Sequence, residues 1–313
     1  MGVGIAYVFA AAGCEVTLAE PEPARADQAL ETVRAQAARG RERGKLTSEE
    51  ACGLSGRLRT VRRVGQLPEG LNLLVEAVPE RPELKRRVIA EAEERQPVLL
   101  ASNTRGLSID ELAAPLRRPG DFLGLHFFNP VWSMPLVEIV RGRRTAEPAL
   151  NRAHEAAVLI GKETIVVRDA PGFATSRLGV AIGLEAMRML QDDVASAEDI
   201  DRAMELGYRH PMGPLRLTDL VGLDVRLDIA RHLEKTYGPR FEPPRIRLER
   251  SPQATSAARP AEASMTGMRC DRPKPEVRSA GPPQWSCFPM AGRRGSCSGY
   301  RALPRVHRCQ TWP

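Results

Sequence analysis

His126 and Glu138, twelve positions apart, are the pair in this sequence best suited to acid–base chemistry. Imidazole titrates near neutrality, so a histidine can take a proton from a hydroxyl at physiological pH and give it back. A carboxylate behind the ring fixes the tautomer and stabilises the protonated form, the role of the acidic partner in other histidine dyads. His126 ends the apolar run Phe122–Phe127, and Glu138 lies on the next one, Leu136–Val140. A turn through Asn129 and Pro130 would bring the two side chains together. A lone histidine in an apolar run is more often a packed core residue, so the pair takes its meaning from its surroundings.

Those surroundings alternate helical patterns with short apolar runs. Runs at Val16–Ala19, Leu73–Val78 and Val98–Ser102 have the length of buried parallel strands, and further strands are expected at Phe122–Phe127, Leu136–Val140 and Thr164–Val167. This is the rhythm of βαβ units. A long helical stretch between the first two runs breaks at Gly40–Gly44 and restarts at Thr47, with Glu50 completing a capping box, which predicts a helical hairpin projecting from the sheet. Strand signals stop near Asp169–Pro171. Beyond it Leu178, Ala181, Ile182, Ala186, Met189 and Leu190 share one helical face, a second helix starts at Ser196 with Asp199 and ends before Gly207, and a third runs from Leu217 towards Tyr237. The reading is an α/β doubly wound parallel sheet of the Rossmann type lacking its first strand, then a small all-helical domain and a disordered tail. The domains fall at 1–168, 169–248 and 249–313.

The opening segment, MGVGIAYVFAAAGC, is apolar but has no basic region before it and is too short to span a bilayer. It reads as a buried helix leading into Val16–Glu20, the second half of a dinucleotide-binding unit. Glu20 would accept the ribose hydroxyl of the adenosine, and its charge favours NAD over NADP. Only Gly2 remains of the G-x-G-x-x-G turn. A doubly wound sheet without its central first strand is expected to leave two inner strand edges open.

Six segments then stand in a recognisable order: Gly2-Val3-Gly4-Ile5-Ala6, Glu76-Ala77-Val78-Pro79-Glu80, Ala101-Ser102-Asn103-Thr104, Leu125-His126-Phe127-Phe128-Asn129-Pro130, Leu136-Val137-Glu138 and His210-Pro211-Met212-Gly213-Pro214. In order and spacing the chain resembles the 3-hydroxyacyl-CoA dehydrogenases over residues 2–248. The resemblance implies NAD as cofactor, an acyl-CoA substrate, a homodimer and oxidation of a secondary alcohol with His126 and Glu138 catalytic. It also implies cofactor contacts from Glu80, Lys85 and Asn129, with Asn103 lining the same cleft, and CoA phosphates met by Arg43 and Lys45. Two positions depart from the family. Arg105 stands where a serine contacts the substrate hydroxyl, and Ser176 stands where an asparagine contacts substrate. Arginine is large, permanently charged and cannot accept a hydrogen bond.

Charge and cysteine separate the body from the tail. Residues 251–313 hold ten Lys or Arg against three Asp or Glu, while residues 1–250 carry 36 of each sign, so the body is neutral and gives no footprint for nucleic acid. Cys14 and Cys52 are the only cysteines of the body, which fits a reducing, cytoplasmic setting; no metal site is expected. The tail has nine Pro, no Ile and one Leu in 63 residues, so nothing there is expected to bury a core. Family character ends near Leu248, as a shifted reading frame would leave it, and the start reads as truncated. Two other functions stay open: an inactive relative serving as a binding or structural module, and a dehydrogenase of a small non-CoA hydroxy acid whose carboxylate meets Arg105.

Overall fold

The computed structural model describes residues 1–244 and 265–269. The apolar start is a helix, α1 (Gly2–Ala11), with every side chain from Ile5 to Ala10 buried, as a helix apolar on all sides must be. There follow β1 (Glu15–Ala19), α2 (Pro23–Glu42), α3 (Ser48–Gly56), β2 (Leu58–Val61), β3 (Leu73–Glu76), α4 (Pro82–Glu93), β4 (Leu100–Ser102), α5 (Ile109–Ala113), β5 (Phe122–Phe127), β6 (Leu136–Arg141), α6 (Glu147–Leu159) and β7 (Glu163–Arg168). The hairpin of α2 and α3 forms where expected: Thr47 Oγ1 accepts the Glu50 N–H at 3.1 Å, and Glu50 reaches back to the Thr47 N–H at 2.9 Å. Strand β2 was not foreseen; Leu58–Val61 pairs parallel with β1 at the sheet edge, and only Leu58 is buried, so it carries no strong apolar pattern.

The sheet runs β2-β1-β8-β3-β4-β5-β6-β7, where β8 is Met265–Arg269. In a dinucleotide-binding sheet the strand between β1 and β3 is the first, parallel one. Here β8 fills that position antiparallel to both neighbours, Val16 facing Met268 and Leu74 facing Gly267. The expected open inner edges are therefore closed, and the expectation that nothing beyond Ser251 buries a core is corrected at these five residues. Met265, Thr266 and Met268 are buried, and Gly267 passes under Leu71, where a Cβ would come within 2.4 Å of Leu71 Cδ1. Composition averaged over 63 residues hid one short apolar stretch with adaptable methionines. The rest of the predicted disordered tail lies outside the described residues. Cys14, read as an isolated thiol, is disulfide-bonded, whereas Cys52 is free and exposed. The reading of two isolated thiols, and the reducing setting drawn from it, is thus overturned at Cys14.

After β7 come α7 (Thr175–Gln191), α8 (Ala197–Arg202, continued by a π turn to Gly207), α9 (Pro214–Val221) and α10 (Leu223–Tyr237). The single third helix read from the sequence is two, because Gly222 adopts φ 100° and breaks it. The buried face of α7 also differs from the expectation. Val180, Leu184 and Met187 pack with Ala230, Leu233 and Phe241, while Leu178 is 64% and Ile182 39% exposed. Both stripes are apolar at helical spacing, so periodicity alone could not choose between them. Among the described residues no helix is long and apolar enough to cross a membrane.

Candidate active site

Strands β5 and β6 are antiparallel and in a register that sets His126 directly opposite Glu138. Opposed residues of such a pair project to the same side with Cβ atoms about 5 Å apart. The distance between His126 Nδ1 and Glu138 Oε2 is 2.6 Å, with His126 6% exposed and Glu138 fully buried. The loop between the strands contains a cis Asn129–Pro130 bond. Lys162 steadies it from below, its Nζ donating to the Val131 and Met134 carbonyls at 2.6 Å each. Burial pushes that ammonium below its ordinary pKa.

The start of α7 completes the dyad. Glu138 Oε1 accepts the N–H groups of Ala174 and Thr175 at 3.2 and 3.0 Å, and Oε2 accepts the Thr175 hydroxyl at 2.7 Å. Burial would raise the Glu138 carboxyl, but bonds from His126 and then Thr175 outweigh it and hold the group below the usual carboxylate value. An ionised Glu138 requires the proton on His126 Nδ1, which leaves Nε2 with its lone pair free. Phe128 and Phe173 flank the imidazole at ring separations of 4.5 and 5.8 Å and limit water around it. Such a dyad takes a proton from a hydroxyl held at Nε2.

A second buried network lies beneath the site. Glu76, at the end of β3, accepts Lys85 Nζ at 2.8 and 3.0 Å, the Ser102 hydroxyl at 2.6 Å and the Val78 N–H at 2.6 Å. Lys85 has no exposed surface, and its ammonium is paired with Glu76 at 2.8 Å, with Glu80 at 3.6 Å. Glu80 in turn accepts the Thr104 hydroxyl and the Arg105 N–H. Its burial would raise the carboxyl, and Lys85, Thr104 and Arg105 lower it overall.

Asn103 follows β4 and its Oδ1 accepts the Phe127 N–H at 2.9 Å, tying the cleft to the strand that carries His126. Asn129 is exposed beside the dyad's loop, the Arg105 side chain is exposed, and Ser176 is half-buried one residue after Thr175. Arg43 and Lys45 are exposed on the hairpin turn. Glu20 is 6% exposed at the end of β1, and Gly2 opens α1 at the same carboxyl edge, its carbonyl 3.4 Å from the Thr266 hydroxyl. A carboxylate at the end of β1 and a helix start beside it are groups that a dinucleotide's ribose and phosphates can use, so the residues present fit NAD. Sequence reasoning missed Thr175, Glu76 and Lys162; of these only Thr175, a hydroxyl residue at a helix start, left a local signal.

The HPMGP segment is structural in part. Asp201 accepts the Leu215 and Arg216 N–H groups at the start of α9, and a Cβ on Gly213 would lie 2.2 Å from Asp201 Cγ.

Comparison with known proteins agrees with this arrangement. Residues 1–170 match the model of the 3-hydroxyacyl-CoA dehydrogenase NAD binding domain, and residues 172–263 match that of the C-terminal domain. A 3-hydroxybutyryl-CoA dehydrogenase of Mycobacterium tuberculosis is 39% identical over 253 residues, covering 79% of this chain and 88% of the relative. A probable 3-hydroxybutyryl-CoA dehydrogenase of Bacillus subtilis is 36% identical over 240 residues, covering 76% and 83%. The crystal structure of (S)-3-hydroxybutyryl-CoA dehydrogenase from Ralstonia eutropha superposes with a TM-score of 0.74 at 33% identity, covering 78% of this chain and 87% of that one. With the dyad, the sheet edge and both domain models in agreement, the chain belongs to the NAD-dependent 3-hydroxyacyl-CoA dehydrogenase family.

Proposed function

We propose that this chain oxidises short-chain (3S)-3-hydroxyacyl-CoA to 3-oxoacyl-CoA. The observation that carries the reading is the 2.6 Å contact between His126 Nδ1 and a Glu138 held ionised. His126 Nε2 takes the hydroxyl proton as the C3–H bond gives up its hydride, and Glu138 stabilises the imidazolium that results. NAD+, when bound, supplies the hydride acceptor. Glu20, the α1 start at Gly2, Glu80, Asn103 and Asn129 would hold it, and Arg43 and Lys45 would meet the CoA phosphates. Arg105 and Ser176 would stand at the substrate. Residues 1–168 form the cofactor domain and 169–248 the substrate and dimerisation domain.

A homodimer belongs to the same proposal. Leu178, Leu206, Tyr208 and Leu220 of the helical part are each more than 60% exposed, large apolar side chains that a second copy of the chain would cover. Light scattering after size exclusion reads the stoichiometry.

The deciding assay follows NADH absorbance with 3-hydroxybutyryl-CoA and with free 3-hydroxybutyrate. Turnover of the thioester that falls at least about a hundredfold in His126→Ala supports the reading. Equal rates in the two proteins, or preference for the free acid, would overturn it.

A further inference from the structure

The helical part has a half-open cavity of about 240 Å³ bordered by α7, α9, α10 and Pro243–Pro244, and none of its lining residues belongs to the site above. Its walls are mainly aliphatic, among them Val180, Leu184 and Met187 from α7 and Leu227 and Ala230 from α10. One lining side chain breaks that character. Arg226, on α10, lies against α7 where glycine leaves room: a Cβ at Gly179 would stand 3.0 Å from Arg226 Nη1. Its Nε is buried without a hydrogen-bond partner. Burial also pushes the guanidinium below its ordinary pKa.

Only Nε is buried: Arg226 as a whole is half-buried, and its terminal N–H groups, which line the cavity without a protein partner among the described residues, are free to meet an anion there. The other polar side chain of the lining, Thr218, is uncharged, and its hydroxyl donates to the Pro214 carbonyl at 2.8 Å. The cavity also lies below the roughly 300 Å³ at which pockets begin to hold drug-sized molecules, so a CoA thioester is too large for it. We infer that this cavity is a binding site for a small aliphatic carboxylate, with the carboxylate on Arg226 and the hydrocarbon tail against Val180, Leu184 and Met187. Arginine pairs with a carboxylate through two parallel bonds, a geometry that a lysine replaces only in part. The ligand is then the free acid, so the site would sense acid released from thioester rather than the thioester itself.

Isothermal titration of the full chain with hexanoate and with hexanamide tests this, in the unaltered protein and in Arg226→Met and Arg226→Lys. The expected result is one saturable site for hexanoate, at least about tenfold weaker binding of the amide, and at least about tenfold loss in Arg226→Met with partial retention in Arg226→Lys. Circular dichroism and NADH turnover of both variants verify that they fold. Absence of saturable binding, equal binding of acid and amide, or undiminished binding in Arg226→Met would each refute the site. So would binding that vanishes as protein concentration rises, because the cavity would then be covered by a second copy of the chain.

Discussion

The Thr175 hydroxyl donates to Glu138 Oε2 at 2.7 Å, so the first turn of the helical part is fastened to the carboxylate that orients His126. Chemistry and domain junction share one hydrogen bond. Removing it by Thr175→Val should lower kcat by about tenfold and shift the acid limb of the pH–rate profile, because Glu138 then loses one of the bonds that keep it ionised. Thr175→Ser should restore most of both. A variant with reduced stability but an unmoved pH profile would show that Thr175 merely holds the domains together.

Glu138→Gln keeps the shape of the side chain and removes its charge. The ring then loses its fixed tautomer, and kcat should fall by about a hundredfold to ten-thousandfold, the scale found when the acidic member of a comparable dyad is amidated. Loss of less than fivefold would mean that Glu138 serves packing alone.

The folded-state pKa values of Glu138 and Glu80 lie below their ordinary value of 4.5. Below that value the unfolded chain therefore binds more protons than the folded one, so stability drops as pH falls from 4.5 through the lowered values. Above 4.5 the contribution of both groups is complete. Urea titrations between neutral pH and pH 3 should show this slope, flatter by up to one proton in Glu138→Gln and again in Glu80→Gln. Parallel slopes in all three proteins would contradict it.

Gly213→Ala should destabilise the helical part by about 1–3 kcal/mol, since the new methyl must displace Asp201 from the N-terminus of α9. A chemical-denaturation midpoint checks this.

Met268→Ala should cost about 2–5 kcal/mol, because β8 buries this side chain in the middle of the sheet. An unchanged midpoint would place residues 265–269 outside the sheet.

Much of this was legible in residue patterns. Phe122–Phe127 is a strand with those bounds, and the Thr47–Glu50 cap holds its helix as read, because both signals are local. The meeting of His126 and Glu138 was legible too, since two consecutive apolar runs joined by eight residues were read as neighbouring strands with a turn at Asn129–Pro130 between them. The pairing of Lys85 with Glu76 was not legible, because the two residues lie on different elements and nothing local says which carboxylate an ammonium will choose. The face of α7 was misread because two apolar stripes compete and only the neighbours α9 and α10 decide which is covered. Strand β8 was invisible because Met265–Arg269 carries no alternation and sits amid proline-rich sequence.

The antiparallel strand at the centre of the sheet also governs how the protein is made. Among the described strands, β2-β1 and β3-β4-β5-β6-β7 meet only through β8. Thr266 and Gly2, which touch across that junction, are 264 positions apart, and closing a loop of that length costs about 5 kcal/mol of chain entropy before any contact rewards it. On the ribosome the two blocks must wait side by side, with unpaired edges facing each other, until residue 269 has been synthesised. Slow, late joining and exposure of those edges to other chains follow, so yield should depend on chaperones and on expression rate more than on the strength of the finished core.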